Sequence, residues 1–209
     1  YGEGLGATEQ AGATAAFSLG GMQAQICGLP ARLVFNSGTG QINGIVPGGV
    51  SGNTSCAFSV TPTTPYNIPT PAATTRVPIT PQNIGIFTYA YSADLTVPII
   101  TNANYQLIGP VAPAFVRAKK GEVLVLWTTG GGLTNPAVPD AQVAPPTGAA
   151  MRAQPVIQIG GANAQILYAG LAPGFQGLYQ INVAVPPNTP GGKVTLTIDS
   201  GTTYDLYVE

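Results

Sequence analysis

The chain has 209 residues, of which 44% are hydrophobic and only 7% are charged, and its formal net charge is −1. Typical soluble domains carry about 25% charged residues, and a nucleic-acid-binding surface needs clustered Lys and Arg. The composition therefore argues against nucleic acid or an anionic membrane as a partner. No apolar run in the sequence approaches the ~20 residues of a membrane span, so no span is predicted.

The 28 glycines and 20 prolines lie between short, β-branched apolar runs. Disordered chains are poor in apolar residues, so the hydrophobic content argues for a folded chain. Short apolar strands separated by Gly and Pro are typical of an all-β fold. The Ala-rich segment Thr8–Ser18 is the only helix candidate, and Gly12 within it argues against a helix.

Two segments of the chain match each other, apart from a loop that is longer in the second copy. Gln25–Pro47 aligns with Gln158–Pro186, so that Gln41-Ile42-Asn43 falls opposite Gln180-Ile181-Asn182. In each copy, short strands with alternating apolar positions are joined by Gly-rich turns. This spacing is typical of an immunoglobulin-like sandwich rather than of a parallel α/β sheet.

The repeat predicts two tandem immunoglobulin-like β-sandwich domains. The first is assigned to residues 1–62 and the second to residues 81–209. Residues 63–80 between them form a Pro/Thr-rich connector. Its prolines exclude a central strand because each lacks a backbone donor. A flexible spacer is one interpretation, but the interspersed apolar residues favour an extended surface segment or an edge strand.

Both cysteines fall in the first copy of the repeat. Cys27 stands opposite Gly160, and Cys56 stands opposite Val194. Two buried free thiols are one interpretation, but a disulfide is favoured because both residues lie in strand-like segments of one module. The bridge would close a loop of about 30 residues, contribute about 3 kcal/mol and indicate an oxidising, extracellular setting.

The glycine-rich stretch Tyr1–Gly6 stands upstream of the first copy much as Trp127-Thr-Thr-Gly-Gly-Gly stands upstream of the second. In the second copy a strong strand, Gly121–Trp127, leads into that turn. The first domain is therefore expected to lack its leading strand. Either more chain upstream of Tyr1 or a neighbouring subunit would supply it.

These patterns resemble those of a family of C-terminal domains in secreted proteins of acidobacteria. The residues that carry the resemblance are Gly85–Ser92, Pro113–Ala141 and Gln158–Pro186, of which YAGLAPGFQGLYQIN is the most specific. The turns are also similar to those of the IPT/TIG subgroup of immunoglobulin-like domains. The resemblance implies an extracytoplasmic pair of β-sandwiches and no catalytic residues.

The sequence predicts no catalytic, cofactor-binding or metal site. It contains no His, the commonest general base and metal ligand, and two cysteines alone cannot form a zinc site. The nucleophile motif GxSxG is absent, and the glycine-rich stretches lack the Lys-Ser/Thr of a phosphate loop. Asp140 or Asp199 could bind calcium with loop carbonyls, but solvated loop charges are favoured.

Four residues remain as candidates for modification or binding. Asn53-Thr54-Ser55 matches an N-glycosylation acceptor, which indicates an exposed turn. Tyr89, Tyr91 and Tyr105 could stack on the rings of a glycan, although ordinary strand positions with one face buried are favoured.

The sequence favours a non-enzymatic structural protein, located outside the cell or at its surface. It would assemble as a homo-oligomer or filament, with strand complementation between subunits. The alternative is an adhesin or carbohydrate-binding module at the end of a larger secreted protein, with a glycan as its partner.

Overall fold

The computed structural model of the chain describes residues 7–12, 15–63, 73–140, 142–199 and 201–209. The all-β prediction is confirmed: the described residues form several β-sheets and no α-helix, and their one helical turn is the 3-10 turn Gly48–Val50. The helix candidate Thr8–Ser18 begins instead with a strand, Thr8–Gln10. No helix among these residues is long and apolar enough to cross a bilayer.

The chain divides into two compact units. Unit 1 comprises Tyr1–Pro81 and Ala137–Ala144, and unit 2 comprises Gln82–Pro136 and Pro145–Glu209. The segment Ala137–Ala144 therefore belongs with unit 1, although the sequence places it inside the second domain. One contact that attaches it is a hydrogen bond of 2.8 Å from the Gly48 N–H to Asp140 Oδ1.

Unit 1 contains two sheets. Its strands are β1 (Thr8–Gln10), β2 (Met22–Ile26), β3 (Leu29–Pro30), β4 (Arg32–Ser37), β5 (Ile42–Ile45), β6 (Ser55–Pro62) and β7 (Ala73–Pro78). One sheet has the order β1-β4-β5 and the other β3-β2-β6-β7. Strand β7, which lies in the segment assigned to the connector, is thus an edge strand of unit 1, paired with β6.

Unit 2 contains three sheets. Its strands are β8 (Gly85–Ile86), β9 (Thr88–Ser92), β10 (Leu95–Pro98), β11 (Ile100–Asn102), β12 (Val123–Thr129), β13 (Thr134–Asn135), β14 (Ala149–Met151), β15 (Ile157–Ile159), β16 (Ala162–Asn163), β17 (Gln165–Leu171), β18 (Tyr179–Ala184), β19 (Gly192–Ile198) and β20 (Thr202–Val208). The largest sheet has the order β11-β12-β18-β17-β14-β13, with β8 also on β12. The others are β16-β15-β19-β20 and the hairpin β9–β10.

The strand pairings of the two units follow the repeat seen in the sequence. Hairpin β2–β3 corresponds to β15–β16, β4–β5 to β17–β18, and the pair β6–β7 to β19–β20. A bulge-like shift of register occurs at Val34 in β4 and at Leu167 in β17, which are aligned residues. The same local irregularity at the same aligned position supports a common architecture for the two units.

The repeated Gln-Ile-Asn triplet has the same conformation in both units. In β5 and its preceding turn, Gln41 Nε2 donates a hydrogen bond of 2.6 Å to Asn43 Oδ1. In β18, Gln180 Nε2 donates one of 2.8 Å to Asn182 Oδ1. Residues two apart share a strand face, so the two polar side chains bond to each other while the isoleucine between them faces the core.

Unit 2 has a large core to which its two larger sheets contribute. Leu124 and Ile181 of the largest sheet are fully buried, as are Ile159 and Leu196 of the four-stranded sheet, and all four belong to one hydrophobic cluster. Two sheets whose inner faces share one core fit a β-sandwich. The core of unit 1 is smaller and consists of two clusters, one around Leu33 and one that includes Cys56.

The predicted disulfide between Cys27 and Cys56 is formed, with the two Cα atoms 4.8 Å apart. Cys27 has a φ of 53° in the turn of hairpin β2–β3, and its counterpart Gly160 has a φ of 61°. A Cβ at Gly160 would lie 4.0 Å from the Cβ of Val194, a spacing that a disulfide spans. Both units thus have a backbone geometry that suits a disulfide at this position, and only unit 1 has the bridge.

Replacing Cys27 with Gly and Cys56 with Val gives unit 1 the residues of unit 2. We expect unit 1 to lose about 3 kcal/mol of stability, because the bridge constrains the unfolded chain, while unit 2 is unchanged. Native-state hydrogen exchange of the β2 and β6 amides measures this loss. The β15 and β19 amides serve as the internal control, and equal exchange of β2 and β6 in both proteins would contradict the expectation.

Candidate functional site

In unit 2, strand β18 is paired along both edges. Strand β17 lies on one side and β12 on the other, with six residue pairs that run from Val123 opposite Ala184 to Thr128 opposite Tyr179. The side chains of Ile181 and Val183 are fully buried, and Val185, just after the strand, is 1% exposed. Because β18 is paired on both edges, these core side chains are shielded from solvent.

In unit 1, the corresponding strand β5 is an edge strand. It pairs with β4 on one side, and no strand among the described residues pairs with its other side. Ile42, the counterpart of Ile181, is only half-buried, and Gly44, the counterpart of Val183, is exposed. Val46, the counterpart of Val185, is 55% exposed. The edge that is sealed in unit 2 is thus open within the described part of unit 1.

Strand β1 does not cover this edge, because it pairs with β4 from the opposite side, Thr8 opposite Ser37. The glycine-rich stretch Tyr1–Gly6 and the leading strand expected before it lie outside the described residues. The sequence alignment predicts a missing leading strand in this unit, which stays a prediction, and it does not name the residues along the open edge of β5. The available signal was the alignment of Pro47 with Pro186, from which Val46 falls opposite Val185.

Strand β12 shows what chemistry suits such an edge. Leu124 and Leu126 are fully buried and face the core opposite Val183 and Ile181. Trp127 lies on the other face and is half-buried. An antiparallel strand with large apolar residues at alternate positions therefore satisfies both the backbone groups and the core.

The open edge has no charged side chain along β5. Exposed edges in natural proteins usually carry Lys, Pro or a bulge that prevents pairing with other chains. One cation, Arg32 in β4, lies opposite Ile45 in the register. Its guanidinium carbon lies 3.3 Å from the ring centre of Phe17, where the aromatic face attracts the cation. Nothing charged on β5 itself opposes the approach of another strand.

The structure separates the three candidate tyrosines into two places. Tyr89 and Tyr91 lie on β9 with ring centres 6.5 Å apart, edge to face, and Tyr91 also contacts Phe115. Tyr105 stacks on Trp127 with ring centres 6.5 Å apart. All three are exposed, Tyr105 by 73%. They therefore do not form one continuous platform of parallel rings.

Asn53 lies on the surface of unit 1, in the turn between the 3-10 turn and β6. Its side-chain Nδ2 donates a hydrogen bond of 2.9 Å to the carbonyl oxygen of Val50. A glycosylated amide keeps one N–H, so modification is compatible with this bond. Whether Asn53 carries a glycan stays a prediction.

Five carboxylates in the described part of the chain have local structural partners. Glu9, Glu122, Asp140 and Asp199 each accept a backbone N–H, and Asp205 pairs with Lys193 at 2.9 Å. The two calcium candidates, Asp140 and Asp199, are among them. No group of three or more His, Cys, Asp or Glu side chains suited to a metal occurs among the residues described.

The pKa values of two half-buried tyrosines are raised. Burial raises the pKa of Tyr179, whose hydroxyl donates a hydrogen bond to the Gly132 carbonyl. Burial also raises the pKa of Tyr168, and a hydrogen bond with the Ala149 backbone partly offsets the rise. Both side chains belong to the large sheet of unit 2, so the raised pKa values reflect how these tyrosines are packed in that sheet.

Comparison of the chain with models of protein families, with curated proteins and with solved structures finds no match. The relation to acidobacterial C-terminal domains therefore stays a prediction based on the sequence. The open edge of β5 is identified by comparison with β18, its counterpart in unit 2 of the same chain.

The stability of unit 2 is expected to fall in alkaline solution. A tyrosine with a raised folded-state pKa stabilises the protein fully below its ordinary value of 10.0, and this contribution is lost as the pH rises through the folded pKa. Tyr179→Phe should reduce this alkaline loss and cost about 1 kcal/mol at neutral pH, since the Gly132 carbonyl loses its donor.

Urea unfolding monitored by Trp127, the only tryptophan, at pH values below and above 10 measures this dependence. Tyr89→Phe changes an exposed tyrosine and should retain the wild-type pH dependence. An identical alkaline loss in the wild-type protein and Tyr179→Phe would contradict the assignment.

Proposed function

We propose that this protein is a non-enzymatic extracellular structural protein, built from two tandem immunoglobulin-like sandwiches, that assembles with copies of itself by strand complementation. A strand of a neighbouring subunit pairs with the open edge of β5 and forms a surface layer or filament. The observation that carries the proposal is the difference between β5 and β18. The two strands match in sequence and register, yet only β18 has a partner on both edges among the described residues.

The free energy for complementation comes from two sources. The added strand satisfies the backbone N–H and C=O groups along β5, which are costly to bury unpaired. It also covers apolar side chains, above all Ile42 and Val46. Complete burial of such a side chain contributes about 1.5–3 kcal/mol. Donor-strand assembly of this kind is an established form of β-augmentation.

The charge pattern supports close packing of subunits. Only 7% of residues are charged, and β5 carries no charged side chain that would repel a strand. Donation from one subunit to the next is a heterologous contact, which repeats into an open chain unless the geometry closes a ring. A filament is therefore the expected product.

The extracellular assignment is supported by the Cys27–Cys56 disulfide, since structural disulfides persist in oxidising compartments. The structural rather than catalytic assignment is supported by the local partners of the carboxylates. Four of them accept backbone N–H groups from turns and loops, an arrangement that stabilises the connections between strands.

Val46→Lys tests the proposal at the open edge. Because Val46 is 55% exposed, the variant should fold, but the charge would be buried on strand addition. We expect the wild-type protein to assemble with increasing concentration. The variant should need at least a ~10-fold higher concentration, equivalent to about 1.4 kcal/mol. Light scattering coupled to size exclusion measures the assembly, and electron microscopy identifies filaments.

The matched control is Val156→Lys, which changes a valine of similar exposure, 52%, in unit 2. This variant should assemble as the wild-type protein does. A wild-type protein that remains monomeric at every concentration overturns the assembly proposal, as does equal assembly of all three proteins.

The second candidate function is an adhesin or carbohydrate-binding module. The exposed rings of Tyr89, Tyr91 and Tyr105 favour it, because aromatic side chains in water present large apolar faces for a partner. Each exposed ring would contribute about 1 kcal/mol to stacking.

A glycan array probed with the wild-type protein and with the Tyr89→Ala/Tyr91→Ala and Tyr105→Ala variants tests this candidate. If the module binds through its tyrosines, one of these variants should bind at least about 5-fold more weakly, which is roughly 1 kcal/mol. Binding to no glycan, or unchanged binding by both variants, would count against a tyrosine platform.

A further inference from the structure

A groove in unit 2 lies between the hairpin β9–β10 and the strands β19–β20. Its volume is about 330 Å³, at the lower end of the ~300–1,000 Å³ of small-molecule sites. Four threonines line it, two from the hairpin and two from the sheet: Thr88, Thr96, Thr195 and Thr203. Two pairs of strands that are distant from each other in sequence thus place threonines around one space.

The hydroxyls of these threonines are available to a ligand. Within the described part of the chain, none of the four side-chain hydroxyls forms a hydrogen bond with another protein group. Each hydroxyl can donate one hydrogen bond and accept two. The groove therefore presents hydroxyl groups that can bond to both hydrogen-bond donors and acceptors of a ligand.

One carboxylate completes the polar lining. Asp205 lies in the groove, and its Oδ2 accepts a hydrogen bond of 2.9 Å from Lys193 Nζ. Its Oδ1 has no protein partner among the described residues and can accept from a ligand. No Lys or Arg lines the groove, but Lys193 pairs with Asp205 at 2.9 Å and balances its charge. The groove therefore has no unbalanced charge that would attract a phosphate or carboxylate ligand.

The remaining lining residues are held in place by the core. Pro98 is buried. Tyr204 lies between Thr203 and Asp205 on β20, so its ring lies on the opposite face of the strand, against the core of unit 2. Its hydroxyl accepts a hydrogen bond of 2.7 Å from the Ile86 N–H. Strand β20 is thus fixed beside the groove before any ligand binds, which lowers the entropic cost of binding.

We propose that this groove binds a neutral saccharide of one or two rings. Sugar hydroxyls, like threonine hydroxyls, both donate and accept hydrogen bonds, and their donors suit the free oxygen of Asp205. The C–H faces of the sugar would contact Pro98. The site is distinct from the tyrosine candidates, because neighbouring residues Thr88 and Tyr89 lie on opposite faces of β9, and it is independent of strand complementation at β5.

Nuclear magnetic resonance titration of the intact chain with maltose, cellobiose and N,N′-diacetylchitobiose tests the proposal. At least one probe should give saturable shifts centred on the amides of the four groove threonines, with an affinity on the order of 1 mM. The double variant Thr195→Val/Thr203→Val keeps the shape and the strand propensity but removes two hydroxyls. It should bind at least about 5-fold more weakly.

The matched control is Thr197→Val, because Thr197 lies on β19 opposite Thr203 but outside the groove lining. This variant should bind as the wild-type protein does. The absence of saturable shifts with all three probes overturns the proposal. Shifts centred on Tyr89, Tyr91 or Tyr105 instead, or equal weakening by Thr197→Val and the double variant, also overturn it.

Discussion

A strand inside a β-sandwich must satisfy its backbone groups along both edges. In unit 2, β12 and β17 meet this requirement for β18, and the large core forms behind them. In unit 1, the corresponding strand β5 has one partner among the described residues. The residues that correspond to the buried Ile181, Val183 and Val185 are half-buried or exposed there. The proposed function, pairing with a strand of another subunit, depends on this unpaired edge of β5.

The two units hold their strands together by different means. Unit 2 has a core of fully buried aliphatic side chains and, at the position of the bridge, Gly160 and Val194 in place of cysteines. Unit 1 has two smaller clusters, and the Cys27–Cys56 bridge joins the turn after β2 to strand β6. A covalent link is a common means of stabilising a small core. The bridge would stabilise unit 1 before another strand pairs with the open edge of β5.

The sequence was sufficient for features that depend on local pattern. The all-β class follows from Gly, Pro and alternation, and the aligned register of β4–β5 and β17–β18 follows from the Gln-Ile-Asn repeat. The attachment of Ala137–Ala144 to unit 1 could not be predicted, because one of its contacts joins Asp140 to Gly48, 92 positions away. The threonine groove was missed for the same reason, since β9, β10, β19 and β20 come together only in the folded unit.

Hydrogen exchange of the β5 amides, Ile42–Ile45, measures directly whether another strand pairs with the open edge. Exchange is slowed when an amide is hydrogen-bonded in a stable sheet, so strand donation between subunits makes protection dependent on protein concentration. The account predicts that protection of the β5 amides rises with concentration, while that of the β18 amides stays constant. Exchange of the β5 amides at a rate independent of concentration would contradict strand complementation between subunits.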